Sequence, residues 1–245
     1  MRLSIISTLC IILLSTSILR SQTFPRWFLF PAEVKCSPSV TVVSHPPTFY
    51  HDSAIAHGFR MGCDLMARYA GMQIVGGQAF WATEAGVHSM GAHYEQRYDT
   101  TLTESFERSM KVLDSYIDKQ RTLVLVGDSS CKQNEDLFER IEMMRIRQPN
   151  WVEELPSDAR YHFGVGFSQE FFYETSSWQT AEKNAYMALA RSVQITMKSM
   201  QKMNAAEAQD IRDESVDVRL QNVEVTARWK DAKKKIYYVL MRMKK

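Results

Sequence analysis

The clearest alternation of hydrophobic and polar positions runs through Tyr161, Phe163, Val165 and Phe167, interleaved with His162, Gly164, Gly166 and Ser168. Side chains along a strand point to opposite faces in turn, so this stretch predicts a half-buried strand. Its two glycines fall on the face away from the large residues. Glycine inside a strand marks close approach by another backbone. The next segment supplies one: Ala181, Ala185 and Ala188 recur at helical spacing, and Leu189 and Val193 extend the stripe. Val223, Val225, Ala227 and Trp229 alternate again. After a charged connection at residues 230–235, the stretch 236–243 predicts the second arm of a β-hairpin. The polar stretch between helix and hairpin, residues 204–217, reads as a partly exposed helix.

The first half follows the same order with more noise. Residues 40–43 are β-prone and are followed by Pro46 and Pro47. Asp52 or Ser53 can cap a helix running to about Ala70 that carries Gly58 and Gly62. Residues 72–82 predict a strand, with Gly76 and Gly77 as a bulge or bend, and 86–99 its partner. Phe106, Met110, Leu113 and Ile117 recur at three- and four-residue intervals and predict a helix over 103–119. Residues 123–126 read as a short strand and 137–146 as a helix.

Pro25-Arg26-Trp27 opens this half and Pro149-Asn150-Trp151 the other, and each small-residue helix ends in Ala-Arg, at Ala67-Arg68 and Ala190-Arg191. The spacing predicts a duplicated α+β module, each copy a mainly antiparallel sheet with helices packed on one face. The copies would occupy residues 22–130 and 148–245, with a helical linker at 131–147.

Composition adds a compartment. Residues 1–21 read as a signal peptide: Arg2, an apolar run over 3–14, then Ser15, Ser17 and Ser21. The run is shorter than the roughly 20 apolar residues a membrane span needs, and no later segment is apolar enough to span. Cys10 sits inside the run, too early to be a lipid-bearing cysteine. The expectation is an exported chain, periplasmic or outer-membrane associated and not lipid-anchored. Cys36, Cys63 and Cys131 follow, an odd count that allows one bridge and leaves one thiol. Cys36–Cys63 is one geometric option; burial of all three as small hydrophobes is the other. With 30 Lys and Arg against 28 Asp and Glu, and no basic stripe, nucleic acid is excluded as a partner. Lys233, Lys234 and Lys235 read as a solvated hairpin turn.

Little chemistry is encoded locally. Among His45, His51, His57, His88, His93 and His162 no pair has His-x-x-x-His spacing, and no Cys-x-x-Cys occurs, so no metal is expected. His88, His93 and Glu95 come nearest to a cluster. Gly164-Val165-Gly166 lies within a strand and lacks the third glycine of a dinucleotide fingerprint. Cys36 with His45, and Cys63 with His57, are the nucleophile–base pairs to test. Without a nucleophile elbow or oxyanion motif they support neither an enzyme nor a cofactor. Trp27 and Trp151 read as lids over the edges of their cores. Phe171, Phe172, Tyr173 and Trp178 fall between strand and helix, where binding residues collect, and form the candidate interaction surface.

Pro149, Trp151 and Pro156, then the Tyr161–Phe167 alternation, the alanines 181, 185 and 188 closing on Arg191, and finally Val223, Val225, Trp229 and Tyr237 to Leu240, together resemble the bacterial Lpp-twenty family of envelope lipoproteins. The resemblance covers residues 148–243, and residues 24–127 follow it in outline. It implies a compact α+β envelope domain with no established catalytic role, although the family's lipid-bearing cysteine has no counterpart here. The functional expectation is a non-catalytic structural or protein-interaction module with an envelope protein partner. The alternative is a small-molecule-binding periplasmic domain with a pocket between helix and sheet.

Overall fold

A computed structural model describes residues 22–36, 38–44, 50–83, 86–131, 135–204 and 215–245, the side chains at 78–93, 135 and 198–204 excepted. The N-terminal stretch 1–21 read as a signal peptide, and His45, therefore lie outside the described residues, as do the side chains of His88 and His93.

In chain order the elements are β1 (Thr23–Pro25), α1 (Arg26–Leu29), β2 (Ser39–Ser44), α2 (His51–Ala70), β3 (Met72–Thr83), β4 (Gly86–Tyr98), α3 (Thr101–Ser109), β5 (Met110–Ile117), β6 (Thr122–Asp128), β7 (Arg140–Glu142), β8 (Tyr161–Gln169), α4 (Glu174–Asn204), β9 (Val216–Leu220), β10 (Glu224–Asp231) and β11 (Ile236–Lys244). Among the described residues every strand pairing is antiparallel. Helices lie against these sheets, and the fold is α+β.

Two sheets share one strand order. In the first half β2, α2, β5 and β6 give the order β2-β6-β5; in the second β8, α4, β10 and β11 give β8-β11-β10. In each, the last strand returns to the middle and the helix covers one face. The seams are built by glycine, but from opposite sides. On α2, a Cβ at Gly58 would stand 2.5 Å from Val124 Cγ2, and one at Gly62 2.6 Å from Val126 Cγ2. In the second half the glycines are on the strand: a Cβ at Gly164 would run into the backbone of Leu189 and Ala185, and one at Gly166 into that of Ala181 and Ala185. The β8 glycines thus let α4 approach the sheet closely, as the alternation predicted.

The halves are not separate bodies. β9, from the second half, pairs with β3 of the first in the sheet β4-β3-β9. One hydrophobic core runs through both, from Trp27, Phe28 and Val126 to Trp178, Leu189 and Tyr237. Two sequence expectations change for physical reasons. The predicted helix over 103–119 stops at Ser109, and Met110–Ile117 is β5. A bulge between Val112 and Asp114 shifts the alternation by one residue, so a strand presents spacing that reads as helical. The linker expected to be helical contains instead two 3-10 turns, Glu135–Phe138 and Met143–Arg145, around β7. There Ile141 pairs with Phe24 of β1, and tertiary pairing overrides local propensity. Within 204–217, α4 ends at Asn204 and β9 starts at Val216; residues 205–214 lie outside the description.

The disulfide joins Cys36 to Cys131, with Cα atoms 5.3 Å apart, and not Cys36 to Cys63. The register explains it. β2 pairs with β6 with Ser39 opposite Gly127, so chain just before β2 and just after β6 lies side by side. Cys63 lies on α2, fully buried and free.

Candidate functional site

Phe171, Phe172 and Tyr173 occupy the short connection between β8 and α4. They are 50%, 94% and 49% exposed, whereas Trp178 is fully buried. Trp178 therefore drops out of the candidate surface. It lies one turn into α4 with its ring edge-to-face with Tyr237 (4.8 Å) and Phe28 (5.6 Å), so it anchors the helix instead of facing solvent. The other three form a tip with a fixed backbone. The Phe171 N–H donates to Ser177 Oγ at 2.8 Å, the Ser176 N–H to the Tyr173 carbonyl at 3.0 Å, and the Phe172 and Tyr173 rings meet edge-to-face at 4.9 Å.

Beneath the tip lies a cluster of charged groups. Glu174, at the start of α4, is buried and ion-paired with Arg121; it also accepts from Tyr237 Oη at 3.2 Å and lies 3.5 Å from Lys230 Nζ. The Arg121 guanidinium binds Asp118 at 3.0 Å and lies over the Phe24 ring at 3.9 Å. Lys230 and Lys235 each reach Glu170 at 3.1 Å. Burial opposes ionisation of Glu170, but hydrogen bonds from Lys235 and Lys230 outweigh it and hold the carboxyl below its usual range. Burial first, then the charges of Glu174 and Glu170, push the Tyr237 phenol far up, so it stays a donor. A cleft of about 440 Å³ is lined by the tip and this base together, with Lys119, Gln120 and Glu170 among its walls.

A second buried network ties the halves together. Glu182 of α4 accepts from Tyr69 Oη at 2.9 Å and Tyr186 Oη at 3.3 Å, and pairs with Arg228 at 3.3 Å. Arg228 reaches across to the Phe28 carbonyl at 3.0 Å and Thr41 Oγ1 at 2.6 Å. Beside it a cavity of about 330 Å³ opens between α2, β4 and α4, lined by Met61, Leu65, Tyr94, Lys183 and Tyr186 among others. A groove of about 300 Å³ runs between the halves past Val34, Lys35, Val225 and Arg242.

The remaining sequence candidates disperse. Cys36 is tied up in the disulfide, so it offers no thiolate. Burial, then the charge of Glu107, pushes the Cys63 thiol up to about 11, while His57 is exposed. His162 is buried on the helix-facing side of β8. Among the described residues no group of three His, Cys, Asp or Glu could hold a metal, and no helix is long and apolar enough to cross a membrane. Trp27 is fully buried and donates its indole N–H to Asp114 at 2.7 Å, while Trp151 is half-buried against the core. Sequence reasoning missed the buried charges Arg121, Glu174, Glu182, Arg228 and Lys230. The only local signal is an alternating strand in which both faces are buried, which leaves Arg228 and Lys230 nowhere polar to point.

The segment that carries the tip and the α4 seam also matches a known family. Residues 149–244 match the LPP20 lipoprotein family. The match runs from the 3-10 turn at Asn150–Val152 through β11, and coincides with the resemblance drawn from the sequence. No curated protein and no solved structure matches the chain. The match associates this segment with envelope lipoproteins. A lipid anchor is part of that family description, and it stands against the expectation of an unlipidated chain.

Proposed function

We propose that the protein is a non-catalytic interaction module of the cell envelope, exported by its N-terminal apolar segment, whose contact surface is the Phe171–Phe172–Tyr173 tip. The observation that carries this reading is the exposure of three consecutive aromatics, Phe172 at 94%, on a backbone held by hydrogen bonds and a buried ionic base. Exposed contiguous apolar groups on a rigid mount favour binding, because little conformational entropy is lost when they are covered. The LPP20 match supports the compartment.

A photo-crosslinking residue at Phe172 tests it in living cells, with one at Tyr50, 74% exposed on the far half, as control. Adducts with an envelope component at Phe172 and not at Tyr50 are expected. Equal labelling, or none, refutes the reading. The second reading, a small-molecule-binding domain, has its place in the cavity of about 330 Å³ between α2 and α4. That size lies at the lower end for ligand pockets, roughly 300–1,000 Å³.

A further inference from the structure

Two features distant in sequence meet at one end of the molecule. One is the aromatic tip. The other is the β10–β11 turn that carries Lys233, Lys234 and Lys235, all exposed. The Glu170 N–H donates to the Lys235 carbonyl at 3.0 Å, and the Lys235 ammonium stands 3.1 Å from the Glu170 carboxylate, so the turn lies directly beside the tip. The turn is itself fixed: Asp231 Oδ1 accepts the N–H groups of Lys233 and Lys234, each at 2.9 Å, and Lys235 adopts φ 57°. Exposed Lys119 lines the same cleft as Phe171 and Phe172. The carboxylates here are all engaged: Glu170 and Glu174 by Lys230, Lys235 and Arg121, Asp118 by Arg121, and Asp231 by the turn N–H groups and, at 3.9 Å, by the Lys234 ammonium. Aromatic rings thus protrude from a setting in which lysines face outward.

We propose that this end of the protein docks on an anionic lipid bilayer. Phe171, Phe172 and Tyr173 enter the boundary between headgroups and acyl chains, while Lys119, Lys233 and Lys234 rest against lipid phosphates. This rests on the interaction-surface reading and names its partner. Exposure and charge select the occupant. A ring 94% exposed has nearly its whole surface left to cover, and a deformable lipid surface can close around it. Aromatic side chains favour the membrane–water interface, and basic residues beside them add attraction to anionic headgroups. Stable peripheral binding needs two such signals together.

The test is flotation of the exported protein, its N-terminus defined by mass, with vesicles of phosphatidylethanolamine and phosphatidylglycerol or of phosphatidylcholine alone. Binding to the anionic vesicles, weakened by salt, is expected. Phe171→Ser with Phe172→Ser lowers it by more than about tenfold, since each ring loses its transfer into the interface. Lys233→Gln with Lys234→Gln lowers it by roughly fivefold per lysine. All four positions are solvent-facing, and melting temperatures confirm that the variants fold. A protein that ignores anionic vesicles, or whose tip variant floats as well as the parent, overturns the proposal. If vesicles fail while Phe172 still crosslinks in cells, the lipid partner is wrong and the interaction surface stands; failure of both overturns both.

Discussion

Replacing Gly166 with Ala should be among the most damaging single-methyl additions available in this chain. The Cβ would be driven into the Ala181 carbonyl oxygen and the Ala185 amide nitrogen. Neither obstacle is a side chain that can turn aside; both belong to the backbone of α4, so the helix must retreat. Retreat by about an ångström forfeits a quarter to a half of the dispersion attraction across the seam. That seam includes the fully buried Trp178, Ala181, Ala185 and Leu189. Overpacked cores lose about 1–3 kcal/mol, and a rigid obstacle places this one at about 3 kcal/mol or beyond.

Gly58→Ala is the matched comparison. There the Cβ meets the Val124 side chain, and the substitution gains about 1 kcal/mol of helix propensity. A net loss of about 1–2 kcal/mol is expected. Urea unfolding followed by tryptophan fluorescence measures both through the shift in midpoint. If Gly166→Ala changes stability by less than about 0.5 kcal/mol, or costs less than Gly58→Ala, the close-approach account of β8 and α4 is wrong.

Other outcomes follow from the buried polar groups. Glu182→Met strands Arg228, which is fully buried, and should cost about 3–5 kcal/mol; adding Arg228→Met should recover part of that loss, as a double-mutant cycle would show. Reduction of Cys36–Cys131, which spans a sequence separation of 95, should lower stability by about 2–4 kcal/mol, and Cys36→Ala should reproduce this loss and no longer respond to reductant. With its thiol raised to about 11, Cys63 should resist alkylation until the protein is denatured. Burial, and then the nearby Lys245 charge, lower the pKa of His162, so the folded state favours the neutral ring. The unfolded chain then binds the extra proton first: this contribution is intact above about pH 6.5 and is lost as pH falls below it. Denaturation midpoints between neutral and mildly acid pH should decline less in His162→Gln.

Elements governed by alternation were legible in the sequence. The Tyr161–Phe167 stretch gave β8, its glycines gave the helix contact, and the alanine stripe gave α4, because each signal is local and periodic. β5 was misread because a bulge imitates helical spacing, and β7 because its identity depends on pairing with a strand far away. The disulfide needed the β2–β6 register, which no local pattern encodes. At the candidate surface, three of four aromatics stand outside as exposure requires. Trp178 does not, because helical phase turns it toward Phe28 and Tyr237 one turn after the tip. The ionic base was invisible, since its members come from three distant segments and each alone resembles an ordinary surface charge.

The junction between the halves also sets an order of events. A chain emerging from its N-terminus can form the β2-β6-β5 sheet, with α2 upon it, and close Cys36–Cys131 early. Tyr69, Thr41 and the Phe28 carbonyl must then wait for Glu182 and Arg228, and β3 for β9, all made later. The first half formed by itself would be cross-linked with that flank open. Because β10 is held in its sheet through β11, the flank closes only when the last strand is in place, and any chaperone that attends this protein should find its work there.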